Sequence, residues 1–518
     1  MVAEPVVGAP DAVADLHERA ARIRDGMGGA AKVAALAAAG RLTARQRIDG
    51  LLDDGTFDEI GTFAHSARPE DAASTPGDGK IGGFGRVDGR PVTVVADDIT
   101  VKRASTSAVG ARKMRRLFET AVRDGLPFVF FGETGGARIP DMMGSAGFGA
   151  IGPLLYPSGR ARSVPMATVI VGESFGASSF LAGVSDLVVQ VRGSALAVSS
   201  PKVIEVATGE RITMEELGGV DVHARTTGQI DLVAEDEQQS WDQVRRFLSY
   251  LPSNAQQPPP VLPAVAPEDL GPLTSLVPAE RRRAYDARRL VRGIVDAGSL
   301  MELQPQFARS LVTGLARIGG HPVGVLASQP LHQAGVLAPQ TCDKATRLIL
   351  LCDAFGLPLV FLHDTPGFVI GRQAEHQRLI AKAMLLQQAV LMAGVPRLSV
   401  IVRKSFGLAD HVMSGLGTGA DLLVAWPGAE ISFMDPLAAA NVLTPDGAGP
   451  AAERVDAGTV GAVTYDTGPY PAAAGMHLDE VIDPERTREV LLCAIERYRL
   501  RPFASGADRP LARWPLAW

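Results

Sequence analysis

Four short glycine-centred turns are the places in this 518-residue chain where chemistry could be done without a reactive side chain. Gly135-Gly136-Ala137-Arg138 and Gly176-Ala177-Ser178-Ser179 lie in the first half, Pro366-Gly367-Phe368 and Gly407-Leu408-Ala409-Asp410 in the second. Each follows a short apolar run. Where a strand turns through small residues into a helix, the first N–H groups of the helix have no intrahelical acceptor and can hold an oxyanion or a phosphate. Side-chain chemistry has weaker support. Ser178 and Ser179 sit in Gly-Ala-Ser-Ser, but the Gly-x-Ser-x-Gly spacing of a nucleophile elbow is absent, and a capping hydroxyl is the plainer reading. His411 follows the last turn directly, and His363-Asp364 closes the run before Pro366. A histidine at such a turn either donates a proton or simply faces solvent. Asp141-Met142-Met143 reads as helix-start or core text rather than a metal site. The sequence has neither a phosphate-binding Gly-Lys-Ser/Thr loop nor a Met-Lys-Met biotin-attachment segment.

The elements that must position these turns come in two copies. Arg86-Val87-Asp88-Gly89-Arg90-Pro91-Val92 returns as Arg317-Ile318-Gly319-Gly320-His321-Pro322-Val323, a step of 231 residues (322 − 91). Gly125-Leu126-Pro127 returns as Gly356-Leu357-Pro358, and Ser174-Phe175-Gly176 as Ser405-Phe406-Gly407, at the same step. Matches in one register over so long a stretch mean a duplicated domain rather than a solenoid. The apolar runs Phe128–Phe131, Ala167–Val171, Leu359–Leu362 and Leu398–Val402 are bounded by glycine and followed by helical text, which suggests buried strands of βα units. Periodicity alone leaves buried helix segments open as the alternative. The alternation from Gly82 to Val95 predicts one strand, and a helix is expected over 113–123. Asp11 to Leu52 reads as helices broken at Gly28-Gly29, with Thr43 as a cap. Residues 1–10, interrupted by Pro and Gly, read as a tail without fixed structure. Proline density over 256–280 predicts a linker, giving domains at 11–255 and 281–518.

Composition narrows the class. A hydrophobic content of 46%, 21% charged residues and a net charge of −6 fit an enzyme and give no support for nucleic-acid binding. The three cysteines, Cys342, Cys352 and Cys493, match neither a zinc site nor a disulfide framework. No apolar run reaches the ~18 residues that span a bilayer, and the N-terminus has no leader pattern, so a soluble cytoplasmic protein with no membrane contact is expected.

In order along the chain, Arg41-Leu42-Thr43-Ala44-Arg45, Gly135-Gly136-Ala137-Arg138-Ile139, Glu216-Leu217-Gly218-Gly219 with His223, Leu248–Asn254, Asp364-Thr365-Pro366-Gly367-Phe368, Arg403-Lys404-Ser405-Phe406-Gly407 and Asp479–Pro484 resemble one family. It is the carboxyltransferase (β) subunit of biotin-dependent acyl-CoA carboxylases, the propionyl-CoA/acetyl-CoA carboxylase group, and the resemblance runs from about Leu16 to Ala504. It implies an α/β fold of two duplicated crotonase-like (ClpP-like) β–β–α superhelix domains, assembled as a homo-hexamer in which the N-terminal domain of one subunit faces the C-terminal domain of another. It implies acyl-CoA on the first domain and carboxybiotin, carried by a separate protein, on the second. A biotin carboxylase and biotin carrier would be the partners, and this chain would hold no metal. Under this resemblance Gly176 and Ala177 form an oxyanion hole for the thioester enolate, and Leu408 and Ala409 one for the biotin ureido or carboxyl oxygen. Asp410 and His411 stand beside the second. Gly135, Gly136, Ala137, Arg138, Lys113, Gly367, Phe368 and Gly407 are expected to contact the substrates. Two backbone N–H groups in a dry site stabilise an enolate oxygen by several kcal/mol, so no side-chain nucleophile is needed.

The sequence departs from the family pattern in places. Gly-Gly-Ala-Tyr-Asp at the second turn is here Gly407-Leu408-Ala409-Asp410-His411, where Leu408 adds bulk and is expected to tolerate positive φ poorly. Glycines of the family are replaced in Arg103-Ala104-Ser105-Thr106. Two other functions therefore stand beside the first. One is a biotin-independent malonyl-type thioester decarboxylase or other acyl-CoA enolate enzyme, with His411 or Asp410 handling the proton; the other is a non-catalytic assembly subunit.

Overall fold

The structure, a computed structural model, describes residues 9–152, 161–443, 461 and 466–514; residues 1–8 of the expected N-terminal tail lie outside that set. The chain divides into two compact units, Met1–Arg160 with Val164–Leu248, and Ala161–Ser163 with Ser249–Trp518.

The first unit is built on an eight-stranded sheet. Its strands are β1 (Asp58–Glu59), β2 (Lys80–Val87), β3 (Arg90–Asp97), β4 (Phe128–Thr134), β5 (Met166–Phe175), β6 (Leu187–Val191), β7 (Ala195–Ala197) and β8 (Leu232–Ala234). The order is β1-β2-β3-β4-β5-β6-β8, with β7 on the far end of β5. β1, β2 and β3 pair antiparallel, and from β3 to β8 every pairing is parallel. Parallel strands covered on both faces need unbroken apolar runs, which is why every residue of β4 is buried.

The expected single strand over 82–95 is two strands. Asp88-Gly89, with φ of 50° and 77°, closes a tight hairpin between β2 and β3. The carboxylate of Asp53 accepts the N–H groups of Asp88 (3.0 Å) and Gly89 (2.8 Å). An Asp-Gly pair inside an alternating stretch is the local signal for such a turn. Three helices, Ala9–Gly26, Ala30–Ala38 and Ala44–Leu51, precede the sheet. Gly29 at φ 112° separates the first two, and Thr43 caps the third in a reciprocal arrangement with Gln46.

The second unit repeats the plan in β9 (Met301–Leu303), β10 (Leu311–Ile318), β11 (His321–Ser328), β12 (Leu359–Thr365), β13 (Arg397–Phe406), β14 (Leu422–Ala425), β15 (Glu430–Ser432) and β16 (Glu480–Val481). Both ends of β2, β3, β4 and β5 recur in β10, β11, β12 and β13 at the step of 231 (311 − 80 for the first), and so does the helix Ala108–Asp124 in Pro339–Phe355. Asp296 holds the N–H groups of Gly319 (2.8 Å) and Gly320 (2.7 Å) as Asp53 holds its hairpin. Beyond the second glycine turn the step lengthens, to 235 at β7 and β15 (430 − 195), so the copies diverge just after the residues of interest. The Pro-rich stretch 256–280 groups with the second unit. Leu262 N–H bonds to Gly320 O (3.1 Å), and Leu273 and Leu276, on a short helix, enter the core. Among the described residues no helix is long and apolar enough to cross a membrane.

Candidate active site

In each unit the longest strand of the sheet ends in a glycine with left-handed φ, and a helix begins at the next residue. Gly176 (φ 60°, ψ −119°) follows β5 and opens the helix Ala177–Gly183. Gly407 (φ 61°, ψ −152°) follows β13 and opens Leu408–Val412. The glycine N–H is committed each time to the neighbouring strand end, Gly176 to Val198 O (3.2 Å) and Gly407 to Ser432 O (3.0 Å). The next N–H, of Ala177 and of Leu408, has no acceptor among the described residues, and that of Ala409 is likewise unbonded. These are the orphan donors of a helix start, delivered at a strand end by one residue in a conformation that only glycine adopts freely.

The positive φ expected to trouble Leu408 falls on Gly407 instead. Leu408 is helical and about half exposed. A Cβ at Gly407 would sit 3.0 Å from Phe433 O, so the position cannot carry a side chain without displacing that strand end.

Neither serine of the first turn is free for nucleophilic attack. Ser178, buried, donates its hydroxyl to Asp97 Oδ2 (2.8 Å), and Ser179 donates to Gly176 O (2.7 Å). Asp97 also accepts from Glu133 N–H (3.1 Å) and from Lys80 Nζ, so it pins β3, β4 and the new helix together. At the second turn Asp410 has the anchoring role. It is buried, accepts Ser405 Oγ at 2.7 Å and Leu416 N–H at 2.8 Å, and ties β13 to the loop beyond the helix. His363 is wholly buried with Nδ1 3.0 Å from Ser405 Oγ, and burial pushes its pKa down. His411 is different: its ring is half exposed, with Nδ1 3.7 Å from Asp410 Oδ2.

The first glycine loops are also duplicated. Thr106 N–H bonds to Gly136 O (2.8 Å) and Arg138 N–H to Thr106 O (2.9 Å), making a bridge between Thr106 and Ala137. Leu337 N–H to Gly367 O (3.0 Å) and Val369 N–H to Leu337 O (2.9 Å) do the same with Phe368. Gly136 and Gly367 take φ of 99° and 127°. Arg138 is turned inward, its guanidinium on Asp78 and on Ser105 O (3.1 Å). Lys113, expected at the substrate, is buried, and its ammonium donates to Gly61 O (3.1 Å) and Lys80 O (2.6 Å). Lys344, 231 residues on (344 − 113), clips Phe307 O (2.9 Å) and Leu311 O (2.8 Å) in the same way. Burial lowers both, Lys113 to about 8 and Lys344 to about 7. The structure thus leaves the N–H groups of Ala177, Leu408 and Ala409 unbonded at turns set by Gly176 and Gly407, and directs Arg138, Lys113 and Asp410 to the scaffold.

Sequence reasoning missed two cations. Lys102 and Arg103, in a turn with three successive positive φ values (47°, 55° and 50° through Ala104), line a cavity of about 440 Å³ with Gly135, Ala137 and Ile139. The non-glycine residues at 103 and 104 therefore keep the backbone that the glycines they replace would adopt freely. The signal was the 231-residue step itself: Gln333, Ala334 and Gly335 repeat the turn at 49°, 54° and 79° (333 − 102).

Two duplicated mixed α/β sheets, each with a long parallel strand that runs through a glycine into a helix, define the crotonase-like α/β class. Comparison with known proteins places the chain within that class. The profile of the carboxyl transferase domain matches residues 36–504. The propionyl-CoA carboxylase carboxyltransferase subunit of Haloferax mediterranei is 36% identical over 518 residues, covering 98% of this chain and 99% of that protein. The biotin-dependent long chain acyl-coenzyme A carboxylase beta4 subunit of Mycobacterium tuberculosis is 37% identical over 505 residues, 95% of each. The crystal structure of transcarboxylase 12S, a hexamer solved with methylmalonyl-coenzyme A bound, superposes with a TM-score of 0.89 at 32% identity, covering 96% of this chain and 98% of that one. The chain belongs to the carboxyl transferase family, that of the carboxyltransferase (β) subunits of biotin-dependent acyl-CoA carboxylases.

Proposed function

We propose that this chain is the carboxyltransferase subunit that moves carboxylate from carboxybiotin, borne by a carrier protein, to the α-carbon of an acyl-CoA. The observation that carries the reading is the doubled turn: Gly176 at φ 60° and Gly407 at φ 61°, each followed by an N–H without an acceptor. One turn serves each partner of the transfer.

In the first unit the N–H of Ala177, at the positive end of its helix, faces the thioester oxygen and stabilises the charge that builds there when the α-proton leaves. The Asp97 and Glu133 anchors hold that donor in place before the reaction, so no reorganisation is needed at the transition state. Lys102 and Arg103, in the cavity beside Gly135 and Ala137, would exchange their present carboxylate partners, Asp71 (3.3 Å) and Glu173 (2.7 Å), for the CoA phosphates. In the second unit the N–H groups of Leu408 and Ala409 lie beside the apolar, exposed Leu408 and Phe433, a donor pair next to an apolar face that suits a bicyclic urea. Bound carboxybiotin supplies the carboxyl group to be transferred. Asp410 positions the second turn through Ser405 Oγ and Leu416 N–H. Gly367 and Phe368 shape the rim through their bridge to Leu337.

The reading includes a biotin carboxylase and biotin carrier as partners, a hexamer of this chain, and work in the cytoplasm. Decarboxylation of malonyl-CoA and methylmalonyl-CoA by the purified chain, followed by mass spectrometry with and without free biotin, tests it. Loss of CO₂ that depends on biotin is expected. Biotin-independent loss would make the chain a thioester decarboxylase, and no reaction with an intact fold would leave a different acyl substrate or an assembly subunit.

A further inference from the structure

The second unit holds a cavity of about 330 Å³ at the end of its sheet remote from Gly407. Pro322 and Pro358 at its floor stand at the starting ends of β11 and β12, whereas Gly407 follows the finishing end of β13. These three strands are parallel neighbours, so the length of β12, roughly 20 Å at ~3.3 Å per residue, separates cavity from turn.

The lining mixes apolar walls, Pro258, Pro259, Tyr498 and Phe503, with two arginines and a histidine, and it includes no carboxylate. Arg501 is engaged: Nη1 lies 2.8 Å from Asp421 Oδ1, and its guanidinium stacks on Tyr498. Arg499, the last residue of the helix Thr487–Arg499, is exposed and has no ion pair or hydrogen bond among the described residues. His321 is only 7% exposed, yet its ring forms no hydrogen bond with any described residue. Burial and then the nearby Arg499 push its pKa down, so it is a neutral imidazole with one N–H to give. Neither ring nitrogen is sealed from solvent, so a ligand acceptor in the cavity would take the place of water on the ring N–H.

We propose that this cavity binds a small aryl carboxylate, its ring against the proline and Tyr498 walls and its two oxygens on the His321 N–H and the Arg499 guanidinium. Rigid proline and aromatic faces suit a planar body, and a guanidinium beside a single N–H suits one carboxylate. The site is independent of the carboxyl-transfer turns.

Isothermal titration of the purified full-length chain with phenylacetate, and separately with 2-phenylethanol, tests this. Saturable binding of phenylacetate, one per chain, is expected, with the neutral alcohol weaker by at least about tenfold. Arg499→Ala, on the exposed end of a helix, should weaken phenylacetate by about tenfold or more, and His321→Phe should do the same by filling the cavity, each with unchanged circular dichroism. Absence of saturable binding at low millimolar phenylacetate, equal binding of the alcohol, or no effect of Arg499→Ala overturns the proposal. A changed oligomer mass in Arg499→Ala without phenylacetate binding also overturns it, and identifies the face as a contact between copies of the chain.

Discussion

Ala177→Pro removes one hydrogen-bond donor from the first turn and little else. Ala177 is the first residue of its helix, where the N–H has no intrahelical acceptor, and proline is well tolerated there because its fixed φ suits a helix start. Proline also constrains the residue before it, by a clash that depends on the magnitude of ψ and on that residue's Cβ. Gly176 has no Cβ, and its ψ of −119° mirrors the extended value that precedes proline in ordinary chains. The fold should therefore survive. Loss of a single preorganised oxyanion donor costs about 10²- to 10³-fold in turnover, or roughly 3–4 kcal/mol. The assay is biotin-dependent methylmalonyl-CoA decarboxylation, with kcat and KM resolved and CoA binding measured separately. A kcat lowered by that amount, with CoA affinity within about threefold of the parent, is expected; a thioester held in the ground state by the same N–H would raise KM instead. Turnover within a few-fold of the parent in a folded variant would falsify the role given to this turn.

Leu408→Pro makes the same deletion in the second turn, and should lower turnover by about 10²-fold while leaving CoA binding at the parent value; calorimetry with CoA and free biotin separates the two. His411→Ala should retain biotin-dependent activity to within about fivefold, whereas a loss of about 10²-fold or more would show that the half-exposed imidazole handles the proton. Asp410→Ala leaves Ser405 Oγ and Leu416 N–H inside without their acceptor and should destabilise the second unit by about 2–4 kcal/mol, read as a lower urea midpoint. Lys344, drawn down to about 7 in the folded chain, keeps its proton to about pH 10 when unfolded. The unfolded state then binds more protons between those values, so this group's contribution makes stability rise from about pH 7 to pH 9. Lys344→Met should flatten that rise in urea titrations at the two pH values, and an unchanged pH dependence would refute the assignment.

The duplication was legible because the strands that carry it are. The apolar runs at 128–131 and 359–362 are short, β-branched or aromatic, and bounded by glycine, and the structure makes them β4 and β12. The hairpins were hidden inside one alternating stretch, since two antiparallel strands share a period of two and only Asp88-Gly89 marks the reversal. Gly176 and Gly407 could be picked out because left-handed φ at a strand end leaves a signature in residue type. The fate of charged side chains leaves no such signature. Lys113 reads as a substrate cation, and Ser178 as a candidate nucleophile, until the fold shows which carbonyl or carboxylate each one meets.

The sequence by itself therefore determined the two copies, the strand runs and the positions of the donor turns, because these rest on local backbone preference and periodicity. Tertiary structure alone decided which polar groups work and which hold the frame. Lys113 reaches Lys80 O from 33 residues away, Ser178 reaches Asp97 from 81, and Asp410 is turned inward by Ser405 and Leu416. A buried charge goes wherever a partner across the sheet can satisfy it, and that partner is chosen by packing between segments distant in sequence, which no local spacing encodes.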